Sequence, residues 1–229
     1  RATPRAKSAV AVRPGAACRD PVAARTRCDT SRGPADRRRF RGRRLAMCLL
    51  LIAIDAVPGV PLLLLGNRDE FHARASAPAQ AWSEDARVAG GRDLVAGGAW
   101  LAARGGGRFA AVTNLRTGVP ATAPRSRGWL VRDFVLGRRR PVSFLEGVAA
   151  EAGDYGPFNL LVGDGEAFAL GSADGVVRRL GAGIHVVSNG PIGVHWPKTA
   201  RLRQRFADVI DRGWDDDEAR LLDLLADEA

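Results

Sequence analysis

Cysteine and histidine are scarce in this sequence of 229 residues, which contains three of each. Cys18 and Cys28 lie within the first 46 residues, and Cys48 is the only cysteine after them. A lone cysteine has no partner for an intramolecular disulfide, which favours a reducing compartment, here the cytoplasm. The three histidines are scattered and show no ligand spacing of the zinc type. We therefore expect no metal and no cofactor.

Acidic residues are nearly absent from residues 1–46, which contain three of them against fourteen lysines and arginines. The remaining residues carry 22 acidic and 21 basic side chains, so the net charge of +10 belongs to this first segment. The segment is rich in Arg, Ala, Gly and Pro, and Phe40 is its only aromatic residue. Such a composition buries too little apolar surface to offset the entropy of ordering, so we predict that residues 1–46 are disordered.

Three interpretations of residues 1–46 remain open: an Arg-rich targeting segment, a nucleic-acid-binding arm, and upstream sequence translated from a misplaced start. We favour the last, because the segment has few serines and Arg43-Arg44 lies directly before the first predicted strand. The domain would then be residues 47–229, and nucleic-acid binding would not be expected. Transit peptides are also Arg-rich and poor in acids, and under that interpretation the location is an organelle.

The sequence also has no uninterrupted apolar run of the ~20 residues that a spanning helix needs. Leu49–Leu65 comes closest, but Asp55, Pro58, Gly59 and Pro61 interrupt it. Two short strands joined by a turn explain this pattern better, and no transmembrane segment is predicted. Because their apolar positions are continuous rather than alternating, both strands should be buried on both faces.

Hydrophobic periodicity and turn residues divide the rest of the chain into groups of strands and helices. The predicted strands are 49–54, 61–66, 100–103, 108–114, 158–162, 167–170, 176–180 and 184–188, with a loop between Gly90 and Gly98. The predicted helices are 126–136, one after Pro141 that starts with a Ser143/Glu146 capping box, 198–210 and 215–226. This order predicts an α+β fold of antiparallel sheets covered by helices.

Cys48 directly follows Met47, and an initiator methionine is normally removed when a small residue follows it. Cys48 would then be the first residue, and its α-amino group, with a pKa of roughly 7.7–8, could act as the base for its own thiol. The alternative is that Cys48 is a small buried apolar residue, as most solitary cysteines are.

Polar residues emerge directly from the second predicted strand in the string Asn67-Arg68-Asp69-Glu70. A solvated turn would explain such a string in most proteins. Antiparallel pairing of the first two strands, however, brings this end of the hairpin close to Cys48. Asp69 could then hold the α-ammonium group, and Arg68 could stabilise the thiolate or position a carboxylate.

Two asparagines follow predicted strands, Asn114 in Thr113-Asn114 and Asn189 in Ser188-Asn189. A side-chain amide at a strand end can donate to an oxyanion, although asparagine in such places is more often a turn former.

Taken together, these motifs resemble the NRDE family, also called the transport and Golgi organization protein 2 family, over Met47 to about Ala229. The matching segments occur in order: Met-Cys before an apolar run, Asn67–Phe71, Gly91-Arg92-Asp93, Gly97–Leu101, Thr113-Asn114, Ser126-Arg127-Gly128, Val131–Phe134, Phe158–Asp164, Ser188-Asn189 and Trp196-Pro197-Lys198.

The resemblance implies a four-layer αββα sandwich of the N-terminal-nucleophile (Ntn) hydrolase type, similar to that of choloylglycine and penicillin V acylases. It implies that Cys48 is the nucleophile and, through its amine, the base. Asp69 would hold the amine, and Asn114 and Asn189 would stabilise the oxyanion. We assign substrate contacts to Asn67, Arg68, Glu70, Trp100 and Arg116.

The sequence departs from the family pattern in two places. Gly190–His195 replaces the usual spacer after Ser188-Asn189, and the chain stops after Leu224-Leu225-Ala226-Asp227, before a Tyr-Gly-Thr-Arg segment that family members contain. We therefore expect a domain truncated at its C-terminus.

Two functions follow from the resemblance. The first is cleavage of a linear amide or related acyl compound, a small-molecule substrate, through a thioester on Cys48. The second is a non-catalytic role on the same fold, in binding or trafficking of a lipid or haem. A fold alone does not decide between them.

Overall fold

A computed structural model describes residues 5–12, 23–28, 48–69, 74–117, 123–194, 196–212, 221 and 223–225. Within them it contains strands β1 to β12, helices α1 to α3 and a short 3-10 helix. The strands are β1 Arg5–Val12, β2 Ala23–Cys28, β3 Leu49–Val57, β4 Val60–Asp69, β5 Ser76–Ala81, β6 Val88–Asp93, β7 Leu101–Arg104, β8 Arg108–Asn114, β9 Phe158–Asp164, β10 Phe168–Ser172, β11 Val177–Leu180 and β12 Gly183–Val187. The helices are α1 Arg127–Leu136, α2 Pro141–Ala150, the 3-10 helix Ala152–Asp154 and α3 Pro197–Asp211.

The strands form two sheets in which neighbouring strands are antiparallel. The five-stranded sheet has the order β12-β3-β4-β1-β2, and the seven-stranded sheet has the order β11-β10-β9-β8-β7-β6-β5. Eleven of the twelve strands are therefore next to a strand adjacent in sequence. The predicted α+β class with antiparallel sheets is confirmed.

The hairpin of β3 and β4 is longer than the sequence predicted. Its strands pair from Leu49↔Asn67 to Val57↔Val60, and the turn contains Gly59 in the left-handed conformation, at φ 72°. An irregularity between Ile54 and Val57 absorbs Asp55, whose φ is 47°. The prediction that both strands are buried on both faces is confirmed, since their leucines and isoleucines are almost fully buried.

Three clusters of buried side chains hold these elements together. One packs α1 and α2 against the seven-stranded sheet, and another packs the five-stranded sheet against α3 and against Leu221, Leu224 and Leu225. The third joins residues from both sheets, among them Leu50, Leu64 and Phe109. Because successive side chains of a strand point to opposite faces, β3 supplies alternate residues to two of these clusters.

Strands β1 and β2 come from the segment whose composition predicts disorder. β1 pairs with β4 from Arg5↔Asp69 to Val12↔Leu62, and β2 pairs with β1. An edge strand presents a row of N–H and C=O groups to which any extended chain can add, and this needs no buried side chain. Composition reports on side-chain burial and carries no information on such pairing, and the disorder of residues 1–46 as a whole stays a prediction. The boundary at Met47 stays a prediction.

Helix α1 begins as predicted, with Ser126 as its N-cap, whose side chain accepts a hydrogen bond from the Gly128 N–H. The capping box predicted for α2 is wrong. Arg140 is the N-cap and makes no side-chain capping bond, and Pro141 occupies the first turn, so Ser143 and Glu146 lie inside the helix. Proline is favoured at that position because its ring fixes a helical φ and the missing N–H needs no partner there.

The sequence did not predict β5 and β6, and the loop predicted between Gly90 and Gly98 is partly wrong, because β6 continues to Asp93. Between them the two strands contain one β-branched residue, Val88, and no aromatic residue, and strand prediction depends on such residues. Gly90 sits where a Cβ atom would lie 2.8 Å from the carbonyl oxygen of Leu101 in the next strand, so glycine permits the close pairing.

The remaining predicted helix, 215–226, falls mostly outside the described residues. Among the residues that the structure describes, no helix has both the length and the apolar character to cross a membrane.

Candidate functional site

Cys48 lies immediately before β3, is 7% exposed, and is a thiol rather than half of a disulfide. Two residues further on, Leu50 belongs to the cluster shared by the two sheets. Since side chains i and i+2 of an extended chain share a face, Cys48 faces the space between the sheets. It therefore lies at the end of the shared core.

Asn189 lies beside Cys48 and bonds its main chain. The main-chain N–H of Cys48 donates to Asn189 Oδ1 at 2.7 Å, and Asn189 Nδ2 donates to the Asn114 carbonyl oxygen at 2.6 Å. The Asn189 carbonyl oxygen in turn accepts from the Arg116 N–H at 2.9 Å. Asn189 is 5% exposed. Its two side-chain hydrogen bonds join the start of β3 to the end of β8, which belongs to the other sheet.

Two buried residues that sequence reasoning did not single out fix the turn that carries Asn189. Thr113 Oγ1 donates to the Ser188 carbonyl oxygen at 3.1 Å. Asn159 Nδ2 donates to the carbonyl oxygens of Ser188, at 3.1 Å, and Gly190, at 2.8 Å. Thr113 and Asn159 are cross-strand partners on β8 and β9, each 1% exposed. A polar residue inside an otherwise apolar strand was the available signal, and both carried it.

Asn114 and Arg116 contribute their main chains to this site. Both side chains are exposed, while their backbone atoms bond Asn189. The Asn114 side chain, which is predicted to stabilise the oxyanion, is therefore exposed to solvent at the end of β8.

The Asn67–Glu70 string divides between the two faces of the sheet. Asn67 pairs directly with Leu49, whose side chain packs in the cluster with α3, so Asn67 lies on the helix side. It is 5% exposed, and its Oδ1 atom has no hydrogen-bond partner among the described residues. Alternation places Arg68, which is half-buried, on the face of Cys48. Glu70 and the side chain of Asp69 lie outside the described residues.

Trp100 forms part of the wall between the sheets near this end of the hairpin. It is half-buried and packs against the shared cluster. A Cβ atom on Gly66 would lie 2.7 Å from Trp100 Cη2 and 3.1 Å from Leu50 Cδ2. The indole therefore uses the space that glycine leaves open, one residue before Asn67.

The Gly91-Arg92-Asp93 motif has a structural explanation away from Cys48. Arg92 stacks on the Trp82 ring at 3.6 Å and bonds Glu84. Asp93 accepts from Arg74 at 2.6 Å and from the N–H groups of Val95 and Ala96. Burial by itself raises the pKa of Asp93, but these hydrogen bonds outweigh it and hold the pKa below its ordinary value of 3.8.

The Gly97-Gly98 and Ser126-Arg127-Gly128 motifs meet each other. A Cβ atom on Gly98 would lie 2.4 Å from the Gly128 carbonyl carbon, and the Ala99 N–H donates to the Gly128 carbonyl oxygen at 3.1 Å. The two glycines allow the first turn of α1 to rest directly on the backbone before β7. This contact positions the helix and carries no chemistry.

A cavity of about 410 Å³ lies between α1 and α2 and contains none of the predicted site residues. Its lining includes Arg125, Phe144 and Tyr155. Arg125 stacks on the Tyr155 ring at 4.7 Å and bonds Glu151, and burial raises the pKa of the Tyr155 hydroxyl. The charge of Arg125 is therefore already paired with Glu151 and stacked on Tyr155.

The fold and the site together define a class: an α+β protein of two antiparallel sheets, with a buried strand-end cysteine whose main-chain nitrogen is held by a side-chain amide. The sequence profile of the Transport and Golgi organisation 2 family matches residues 47–229. The chain therefore belongs to the Transport and Golgi organisation 2 family, as its motifs indicated.

Curated relatives agree with this assignment. The chain is 31% identical over 183 residues to the Transport and Golgi organization protein 2 homolog of Bos taurus, covering 73% of this chain and 66% of the relative. It is 30% identical over 182 residues to the homolog of Homo sapiens, covering 72% and 65%. It is 34% identical over 160 residues to Transport and Golgi organization protein 2 of Drosophila melanogaster, covering 63% and 52%. The chain thus spans just under two thirds, or about half, of these relatives.

Proposed function

We propose that this protein is an N-terminal-cysteine amidohydrolase that cleaves a C–N bond in a linear amide or related acyl compound. The observation that carries the proposal is the 2.7 Å hydrogen bond between the Cys48 nitrogen and Asn189 Oδ1. If translation begins at Met47 and that methionine is then removed, this nitrogen becomes an amine on the same residue as the thiol. An acceptor already directed at it would orient the amine as a base.

In the proposed reaction the Cys48 sulfur attacks the carbonyl carbon of the substrate, and the amine accepts the thiol proton. The C–N bond then breaks, the amine passes the proton to the leaving nitrogen, and a thioester remains on Cys48. Water attacks the thioester, releases a carboxylic acid and restores the thiol. Asn189 and Asn114 would stabilise the oxyanion, and Asp69 would hold the amine in its protonated state.

Substrate binding belongs to the residues around this end of the hairpin. Arg68 lies on the face of Cys48 and would attract a carboxylate, and Trp100 offers an apolar wall. We assign further contacts to Glu70 and Arg116. Asn67 lies on the helix side of the sheet and does not face Cys48, so its predicted substrate contact is not carried into this proposal. The arrangement of helices on the outer face of each sheet supports the four-layer sandwich of Ntn hydrolases, and the free thiol of Cys48 supports a cytoplasmic location.

The test compares two proteins, one comprising residues 1–229 and one whose translation begins at Met47, each treated with an activated ester of a linear fatty acid. Peptide mass spectrometry then locates the acyl group. We expect Cys48 to be acylated only in the shorter protein, where its nitrogen is a free α-amine. The Cys48→Ser and Asp69→Ala variants should lose this labelling. Ser172→Ala serves as the control, because Ser172 bonds Asp174 and not the site.

Equal acylation of Cys48 in both proteins would contradict the proposal, because it would show that the amine is not used. Absence of acylation together with saturable binding of haem or of lipid vesicles would instead support the non-catalytic binding role.

A further inference from the structure

We propose that Thr113 and Asn159 are positioning residues for the reaction at Cys48, because they fix the Ser188–Gly190 turn and, through it, the amide of Asn189. This inference rests on the proposed function. In the part of the chain that the structure describes, the side-chain hydrogen bonds of both residues go to the turn and not to Cys48. Both act through the main chain of a turn that belongs to the other sheet.

The turn needs these side chains because the strand before it has ended. β12 pairs with β3 only as far as Val187↔Leu50, so the carbonyl groups of Ser188 and Gly190 receive no partner from that ladder. Ser188 and Gly190 are half-buried, and a carbonyl group removed from water without a hydrogen bond is costly. Thr113 and Asn159 supply the missing donors from β8 and β9.

The side chain of Asn159 bonds the Ser188–Gly190 turn twice. Among the described residues, its side-chain hydrogen bonds both go to the turn, and its fully buried Oδ1 atom has no partner there. Burying an amide with an unpaired acceptor is unfavourable. The residue is thus poorly explained by packing and well explained by the two carbonyl groups that it holds.

The hydrogen bonds from Thr113 and Asn159 to the turn fix the orientation of the Asn189 side chain. Asn189 bonds Cys48 with Oδ1 and Asn114 with Nδ2, so a rotation of the turn would disturb both bonds together. Misplacement of a catalytic group by a fraction of an ångström lowers the rate while the protein stays folded. The seven-stranded sheet therefore sets the position of a group that serves a cysteine on the five-stranded sheet.

The first experiment uses the full chain and reads the position of Asn189 directly, through amide hydrogen exchange at Cys48 and Arg116. Removal of one hydroxyl in Thr113→Val should accelerate exchange at both amides about fivefold, and Thr113→Ser should restore the slow rate. Asn159→Leu should have the larger effect. The Leu51 amide, inside β3, serves as the internal reference for folding.

Ser172→Ala is the matched control. Ser172 lies beside Asn159 in the same row of cross-strand partners and is 4% exposed, but its hydroxyl bonds Asp174 and does not reach the turn. It should leave exchange at Cys48 unchanged. Unchanged exchange at Cys48 in both Thr113→Val and Asn159→Leu, with Leu51 still protected, would overturn the inference.

The second experiment measures acylation of Cys48 in the protein whose translation begins at Met47, once a cooperative thermal unfolding transition shows that this protein is folded. Thr113→Val should lower the maximal rate about fivefold without changing the half-saturating ester concentration, and Thr113→Ser should restore it. Rates equal to those of Ser172→Ala would overturn the positioning role alone. If the unsubstituted protein is not acylated, the proposed function fails and the role in the reaction fails with it, while hydrogen exchange still decides whether the turn is held.

Discussion

Single residues in this protein are constrained most strongly where a glycine makes room for a neighbouring ring or backbone. Gly66 shows this beside the candidate site, because the Trp100 indole occupies the place of its missing side chain. The local geometry next to Asn67 and Arg68 therefore depends on the absence of one methyl group.

Gly66→Ala should displace the Trp100 ring and lower the free energy of unfolding by about 1–3 kcal/mol, the usual cost of overpacking. Chemical denaturation measures the loss. Gly181→Ala is the control, since a Cβ atom there would meet nothing within 4 Å. Equal stabilities for the two variants would contradict this explanation of Gly66.

Asp93 gives the protein a pH dependence whose sign follows from its hydrogen bonds. Burial alone would raise the pKa of Asp93, but the bonds from Arg74, Val95 and Ala96 leave the pKa below 3.8. A carboxyl group with a lowered pKa in the folded state stabilises that state above its unfolded pKa. The contribution is lost as the pH falls through the folded pKa.

Asp93→Asn should therefore lower the free energy of unfolding at pH 7 by about 1.5–3 kcal/mol, the value of a hydrogen bond to a charged group. The difference between the variant and the unsubstituted protein should shrink as the pH falls below about 4. Urea denaturation at a series of pH values measures it. A difference that stays constant down to pH 2 would exclude this role of the carboxylate.

At this scale, sequence reasoning selected some of the residues that lie together at the candidate site. It paired Cys48 with the Asn67–Glu70 end of the hairpin because antiparallel pairing is local, and it selected Asn189 as a strand-end amide. It missed Thr113 and Asn159 because their partners lie on another sheet and are main-chain atoms. A contact between a side chain and a distant backbone leaves no spacing pattern in the sequence.

Elements were predictable where hydrophobic pattern determines structure and less so where close backbone contact does. β3, β4 and α1 follow from apolar runs and a capping serine. β5 and β6 were missed because glycine and alanine form them, and the start of α2 was misplaced because Pro141 outweighs a capping box. The glycine contact between α1 and β7 is likewise invisible to periodicity.

Gly98→Ala should disrupt the packing of α1, because the added Cβ atom would meet the Gly128 backbone rather than a flexible side chain. We expect a loss of about 2–3 kcal/mol in the free energy of unfolding. Gly153→Ala, where a Cβ atom would meet nothing within 4 Å, is the control. Thermal denaturation followed by circular dichroism compares them, and similar midpoints would show that the helix can move aside.

The whole molecule is held together by the cluster that the two sheets share. Phe109 is fully buried in it, 6.1 Å from the Phe168 ring between centroids. Gly163 again leaves the space, because a Cβ atom there would lie 2.4 Å from Phe109 Cε1. The site at Cys48 lies at the end of this cluster, so the stability of the shared core and the geometry of the site are linked.

Phe109→Ala should lower the free energy of unfolding by about 3–5 kcal/mol, through lost burial and the cavity left behind. Leu94→Ala, at a side chain 63% exposed, should change it by less than about 0.5 kcal/mol. Denaturation monitored by tryptophan fluorescence and by circular dichroism should give one coincident transition. Separate transitions for the two probes would mean that the sheets unfold independently.

The two hydrogen bonds of Asn189 also bear on the chemical ageing of the protein. Asn189 precedes Gly190, and an Asn-Gly pair deamidates when the glycine nitrogen attacks the side-chain carbonyl carbon. In the folded protein the side chain is tied to Cys48 and Asn114, and the Gly190 N–H is directed to Ser188 Oγ at 3.4 Å. Deamidation therefore requires the turn to open first. The fraction of molecules with aspartate at position 189 after a given storage time thus measures how often the turn has opened.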